Sequence, residues 1–122
     1  MKTQPLIIQR QAWCAEAEEG LQRAARGDMA WIRAEVLSGA SVLWRITGES
    51  EGWLVTRQEP GELVIVVGEG RNCRPVVRHI MKHASDAGLS VRVHLQDSRL
   101  VALYQRLGFV EREKVLGYGR QE

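Results

Sequence analysis

The chain has 122 residues, 44% of them apolar and 26% charged, with a formal net charge of +2. That length suits one domain, residues 1–122, with a genuine core, and the composition is that of an ordinary soluble globular protein, indicating neither disorder nor a membrane span. Residues 1–67 carry seven Lys/Arg and nine Asp/Glu, residues 68–122 ten and six, so positive charge gathers in the second half without reaching a level that argues for nucleic acid.

Leu6, Ile7 and Ile8 after Pro5 predict a short first strand. Trp13, Ala17, Leu21 and Ala24 recur at helical spacing, which predicts an amphipathic helix over 11–26, ended by Gly27. Asp28 is the expected N-cap of a second helix whose stripe is Met29, Ile32 and Val36 and whose exit is Ser38-Gly39. From Ser41 to Thr47 the period changes to two, with Val42, Trp44 and Ile46 on one side and Leu43, Arg45 and Thr47 on the other. Gly48 and Gly52 bracket a turn, residues 53–57 return, and Pro60-Gly61 fits a type II turn.

Leu63 to Val67 is a continuous apolar run, the pattern of a strand buried on both faces and paired in parallel through a crossover helix. A polar loop, Gly68 to Arg74, is expected to follow. Pro75 then suits the first turn of a helix over 75–87 with Val76, Val77, Ile80, Met81, Ala84 and Ala87 inward and Gly88 as exit. A loop at a helix N-terminus favours an anion, because unpaired N–H groups and the positive end of the helix dipole converge there. Residues 89–95 read as a strand with Val91, Val93 and Leu95 inward and Arg92 and His94 outward. Asp97 or Ser98 caps a last helix in which Leu100, Leu103, Tyr104 and Leu107 share a face, and 109–115 reads as a closing strand. The fold class is α/β (α+β), a mixed sheet in the order (β)ααβββαβαβ with a parallel βαβ unit in the second half.

The stretch VRVHLQDSRLVALYQRLGFVER, from Val91 to Arg112, resembles the closing motif of the GCN5-related N-acetyltransferases, in which a strand leads to a helix ending in a Leu-Tyr pair and then Leu-Gly-Phe. Here these are Leu103-Tyr104 and Leu107-Gly108-Phe109. The resemblance covers about the second half of the chain, and the element order extends it; the brevity also resembles small phage-encoded members. It implies acetyl-CoA as acyl donor, an amine as acceptor and direct attack in a ternary complex. Backbone near Val66 and Val67 would hold the pantetheine, and Arg71, Asn72, Cys73, Arg74 and Val76 would hold the pyrophosphate. Tyr104 would act as general acid toward the leaving thiolate. Asp97 stands where the family has an asparagine at the strand exit. The family's glycine-rich loop pattern falls on Gly68, Arg71 and Cys73, so both close-approach glycine positions carry side chains here.

An amine acceptor with a pKa of about 10.4 must lose a proton before attack. Glu69 is taken as the base, with Glu62 and His94 as further candidates whose spacing selects none of them. His79 and His83 are four apart on one helix face without a metalloprotease glutamate, so no metal is expected. Cys73, near a helix N-terminus, stands where a thiolate is favoured. Trp44 and Trp53 either pack in the core or wall an acceptor pocket. The two cysteines, Cys14 and Cys73, lack metal-ligand spacing, and no long apolar signal segment opens the chain, so a cytoplasmic protein is expected. A homodimer is compatible with the chain. A second function class stands beside the transferase: a degenerate relative that keeps the fold as a binding or phage-associated assembly module, favoured by the missing glycines and by Asp97.

Overall fold

The structure, a computed structural model, describes residues 4–93, 104–106, 108 and 109. Glycine and proline punctuation cuts this chain into alternating pieces. Strand β1 is Ile7–Gln11, helix α1 Ala15–Ala25, helix α2 Met29–Ser38, β2 Val42–Thr47, β3 Glu51–Glu59, β4 Glu62–Arg71, helix α3 Arg74–Asp86 and β5 Ser90–Val93. The strands form one sheet in the order β1-β2-β3-β4-β5. All neighbours are antiparallel except β4 and β5, whose parallel pairing runs from Glu62↔Ser90 to Ile65↔Val93.

The alternating residues divide between two faces. Leu43, Val55 and Val67 pack with Ala17, Leu21, Ala25 and Ile32 of α1 and α2. Ile46, Leu54 and Ile65 pack with Val76 and Ile80 of α3, and Trp44 closes over this second cluster. The sheet is therefore covered on both sides, which is why β4 reads as an unbroken apolar run. Leu21 and Val55 are wholly buried, and each such side chain stabilises by about 1.5–3 kcal/mol relative to exposure.

Several local expectations change. The first helix begins at Ala15, because Gln11 is the last residue of β1. It ends at Ala25, where Arg26 takes φ 54°, and one 3-10 turn over Arg26–Asp28 leads into α2. Asp28 makes no side-chain cap: its backbone, at φ −98° and ψ 6°, is not the extended form from which a capping oxygen reaches the next turn. Gly39 and Gly88 supply the expected left-handed exits. Ala87 is exposed rather than inward, since α3 has already ended at Asp86. Arg92 does not point freely into water; it is half-buried, bonded to Glu59 and close to Glu62. His94, Asp97, Ser98, Leu100, Leu103, Leu107 and the closing strand lie outside the described residues.

Candidate functional site

Strand β4 is the spine of the site, and it differs most from expectation. The polar segment Gly68-Glu69-Gly70-Arg71 is strand, paired with Leu54, Trp53, Gly52 and Glu51 of β3. Only Asn72 and Cys73 separate it from α3. The pairing explains why: Gly52 and Gly70 face each other, and a Cβ on either would collide with the backbone of the opposite strand. Two glycines that suggest a loop are thus used for a close cross-strand approach. The turn is fixed by Asn72 at φ 57°, whose side-chain amide donates to the Glu49 carbonyl at 3.0 Å. Ser50 donates to the Asn72 carbonyl at 2.6 Å.

Upstream, β4 bulges. Val55 faces Val67 and Thr56 faces Ile65, so Val66 is an extra residue on β4. A bulge leaves backbone groups outside the ladder, and this one begins where the described pairing with β5 ends, at Ile65. Val66 and Val67 therefore sit at an irregular backbone step facing α1 and α2.

At the other end of β4, α3 opens with Arg74, Pro75 and Val76. The first backbone bond into the helix is from the Val77 N–H to the Cys73 carbonyl. Pro75 has no N–H, so the first turn offers the amides of Arg74 and Val76, with the exposed Arg74 side chain beside them. The Arg71 guanidinium does not turn to this terminus; it donates to Glu51 at 2.7 Å. These groups suit an anion, and the backbone step at Val66 suits a chain bearing amides. A glycine-lined nest is not among them.

Tyr104, Gln105 and Arg106 are helical, and the Tyr104 ring meets Phe109 edge-on with centroids 5.2 Å apart. The Phe109 N–H donates to the Tyr104 carbonyl, and Gly108 takes φ 98°. Burial, and then the charge of Cys73, push the phenol above its ordinary value, so it stays protonated through the neutral range. Cys73 departs from the thiolate expected at a helix N-terminus. Loss of solvent around the sulfur, and then the Glu69 carboxylate, hold the thiol up, although the residue keeps an exposed surface. Glu69, Cys73 and Tyr104 thus form one electrostatic neighbourhood.

Glu69 itself is not an open carboxylate. Arg23 of α1 donates to it. Glu69 borders a groove of about 390 Å³ whose lining also includes Gly20, Arg45, Glu51, Trp53 and Arg71. Trp53 both packs and lines: a Cβ on Gly20 would come within 2.5 Å of its indole, and the Arg45 guanidinium lies over its ring at 4.8 Å. Trp44 is a core residue that donates to Thr56 at 2.8 Å. Arg23, Arg45 and Gly20 were not marked by the sequence reading. The signal for Gly20 was available, since a glycine inside a helix costs about 1 kcal/mol against alanine and needs a reason.

His79 and His83 are both exposed on α3. Among the described residues, no group of three His, Cys, Asp or Glu is placed to hold a metal, and no helix is long and apolar enough to cross a membrane.

No protein-family model and no curated protein sequence matches the chain. Solved structures do match in shape. The aminoglycoside N-acetyltransferase AAC(6')-Iy in complex with CoA superimposes with a TM-score of 0.63 at 11% identity, over 98% of this chain and 97% of that one. A GNAT family acetyltransferase from Streptococcus pneumoniae TIGR4 gives 0.58 at 12% identity, over 96% of this chain and all (100%) of that one. The ribosomal-protein-alanine N-acetyltransferase from Brucella melitensis biovar Abortus 2308 gives 0.55 at 10% identity, over 97% and 99%. At such identities the likeness is one of fold, and the fold is that of the GCN5-related N-acetyltransferases.

Proposed function

We propose that this protein is an acetyl-CoA-dependent N-acetyltransferase, moving an acetyl group to an amine by direct attack. The observation that carries the reading is the layout of β4. One strand joins a bulge at Val66, next to the parallel strand β5, to a helix N-terminus at Arg74. That layout occurs in a fold whose solved examples include a CoA complex.

The cofactor's pantetheine amides would pair with backbone at Val66 and Val67. Its pyrophosphate would meet the amides of Arg74 and Val76 and the Arg74 guanidinium, across Asn72 and Cys73. The bound thioester supplies the activated acetyl group. Tyr104 would donate a hydrogen bond to the sulfur as it leaves. A phenol held above its ordinary value is a weaker acid than a thiol of about 8.5, so it stabilises the thiolate by hydrogen bonding more than by complete proton transfer. Glu69 can take the amine's proton only when Arg23 leaves it; Glu62 is the other carboxylate on the same strand face. Asp97 would lie at the strand exit beside the cofactor. The acceptor's need to lose a proton predicts a rate that rises from neutral to alkaline pH.

A second reading has its own observation. The turn between β4 and α3 is two residues long and fixed by Asn72 and Ser50, which favours a scaffold that has given up the cofactor. Calorimetric titration with acetyl-CoA separates the two. Micromolar binding, about −8 kcal/mol, weakened about tenfold in Arg74→Glu and kept in Tyr104→Phe, supports the transferase. No heat, and no thermal shift at millimolar CoA, overturns it and leaves the scaffold.

A further inference from the structure

We infer that His79 and His83, on the solvent face of α3, form a two-imidazole site for a late first-row divalent metal ion, of the class of Ni²⁺, Cu²⁺ and Zn²⁺. The site stands apart from the acetyl-transfer reading and does not depend on it.

Three observations carry it. The first is spacing on a formed helix. His79 and His83 lie within α3, Arg74–Asp86, four residues apart and both exposed. Helical side chains four apart stand on one face with Cβ atoms about 5–6 Å from each other, so each imidazole can turn one nitrogen onto a shared ion at about 2.0–2.1 Å. The second is that the donors are free. Among the described residues neither imidazole has a hydrogen bond, an ion pair or a ring contact, so no internal partner is given up when a metal binds. Val76, Val77, Ile80 and Ala84 hold the opposite face of the helix in the core, which fixes the direction in which the pair projects. The third is the local field. His83 lies in the last turn of α3, where unpaired carbonyls form the negative end of the helix and favour a cation. Arg78 and Lys82 are the opposing charges on this helix, and Lys82 is turned to Asp86 at 3.1 Å.

The sequence reading sets a metal aside because no metalloprotease glutamate accompanies the pair. A missing glutamate argues against that kind of catalytic zinc site, and it does not prevent chelation by two imidazoles. Among the described residues no third His, Cys, Asp or Glu completes a group with them, so the ion keeps positions for water. The step is coordination alone: two neutral imidazole nitrogens replace two waters on the ion, and no electron moves. An unfolded chain does not hold the two rings on one face. A bound ion therefore ties the last turns of α3 together and stabilises the folded state.

The test is calorimetric titration of Ni²⁺ into the full chain at mildly alkaline pH, with the thermal midpoint followed alongside. A His94→Ala background leaves the pair as the only histidines. Expected are one ion per chain and a midpoint that rises with Ni²⁺ concentration. His79→Ala and His83→Ala should each weaken binding by at least about tenfold, the scale of losing even an outer-shell partner. The double variant His83→Ala with Ser85→His restores the histidine count but sets the second ring six residues from the first, turned away around the helix. It should bind as weakly as His83→Ala alone. Binding in the double variant as tight as in the parent would mean that histidine content, and not the helical pair, holds the ion. Single variants that bind like the parent would place the ion elsewhere. Either result, or a parent that takes up no Ni²⁺, overturns the site.

Discussion

The face of the sheet that packs on α1 and α2 carries ion pairs at both ends, and the two sets behave differently because of water. Under α2, Arg57 donates to Glu35 at 3.2 Å and to Glu59 at 3.0 Å, and Arg92 donates to Glu59 at 3.1 Å, with Glu62 beside its Nε at 3.6 Å. Ser41, buried, also donates to Glu35. These side chains join α2, β3, β4 and β5, and Arg57 and Glu35 are only 24% and 20% exposed. Burial alone would lower the Arg57 pKa, yet its hydrogen bonds to Glu59 and Glu35 outweigh that and hold it above its ordinary value. Past α1, by contrast, Arg71 is 82% exposed against Glu51 at 63%. The residue types are the same. Desolvation turns one set into a fastening that strands a charge if broken, and its absence leaves the other exchangeable.

The sharpest way to break this comparison is to remove one member from each end. Arg57→Ala leaves Glu35 and Glu59 without their shared partner in a half-buried site. We expect a loss of about 2 kcal/mol, below the 3–5 kcal/mol of a fully buried pair because water still reaches it. A urea unfolding midpoint measures it. Arg71→Ala, made at the exposed end, should change stability by less than about 0.5 kcal/mol. Equal losses in the two variants would show that burial does not separate the networks.

Much of this was legible from residue pattern, and the failures have physical causes. Period two in Val42 to Thr47 placed Leu43 and Ile46 on opposite sides of a strand, and they do pack into different clusters, Leu43 with α1 and α2 and Ile46 with α3. The apolar run from Leu63 marked a doubly covered strand next to a parallel neighbour, as observed. Gly68 to Arg71 misled because glycine serves loops and close strand contacts alike. Only the partner strand, with Gly52 in register with Gly70, tells the two apart. Arg92 was read as outward from alternation, which assigns a face but cannot see that Glu59 and Glu62 meet the side chain on that face. Among the proposed site residues, Val66, Cys73 and Tyr104 come from resemblance to a family motif and not from residue pattern. Arg23 and Glu51 depend on contacts between elements 46 and 20 residues apart, and no local pattern carries these.

The smallest expected effect tests whether the exposed end acts on the helix N-terminus at all. Cys73 sits where a helix dipole should favour a thiolate, yet loss of solvent and then Glu69 raise its thiol. In a Cys14→Ser background, the pH dependence of alkylation by iodoacetamide should therefore show a midpoint above the ordinary thiol value. The folded state holds this proton more tightly than the unfolded chain does. Its contribution to stability is thus complete below the unfolded thiol pKa and is lost as pH rises through the folded value. Glu69→Gln removes the second cause and leaves the first, so the midpoint should fall toward the ordinary value without reaching it. The stability lost on raising the pH should shrink with it. An alkylation curve unchanged by Glu69→Gln would mean that Arg23 neutralises the carboxylate completely as seen from Cys73. The exposed pair would then be as tightly closed as the buried network, which is the one result the contrast between the two ends forbids.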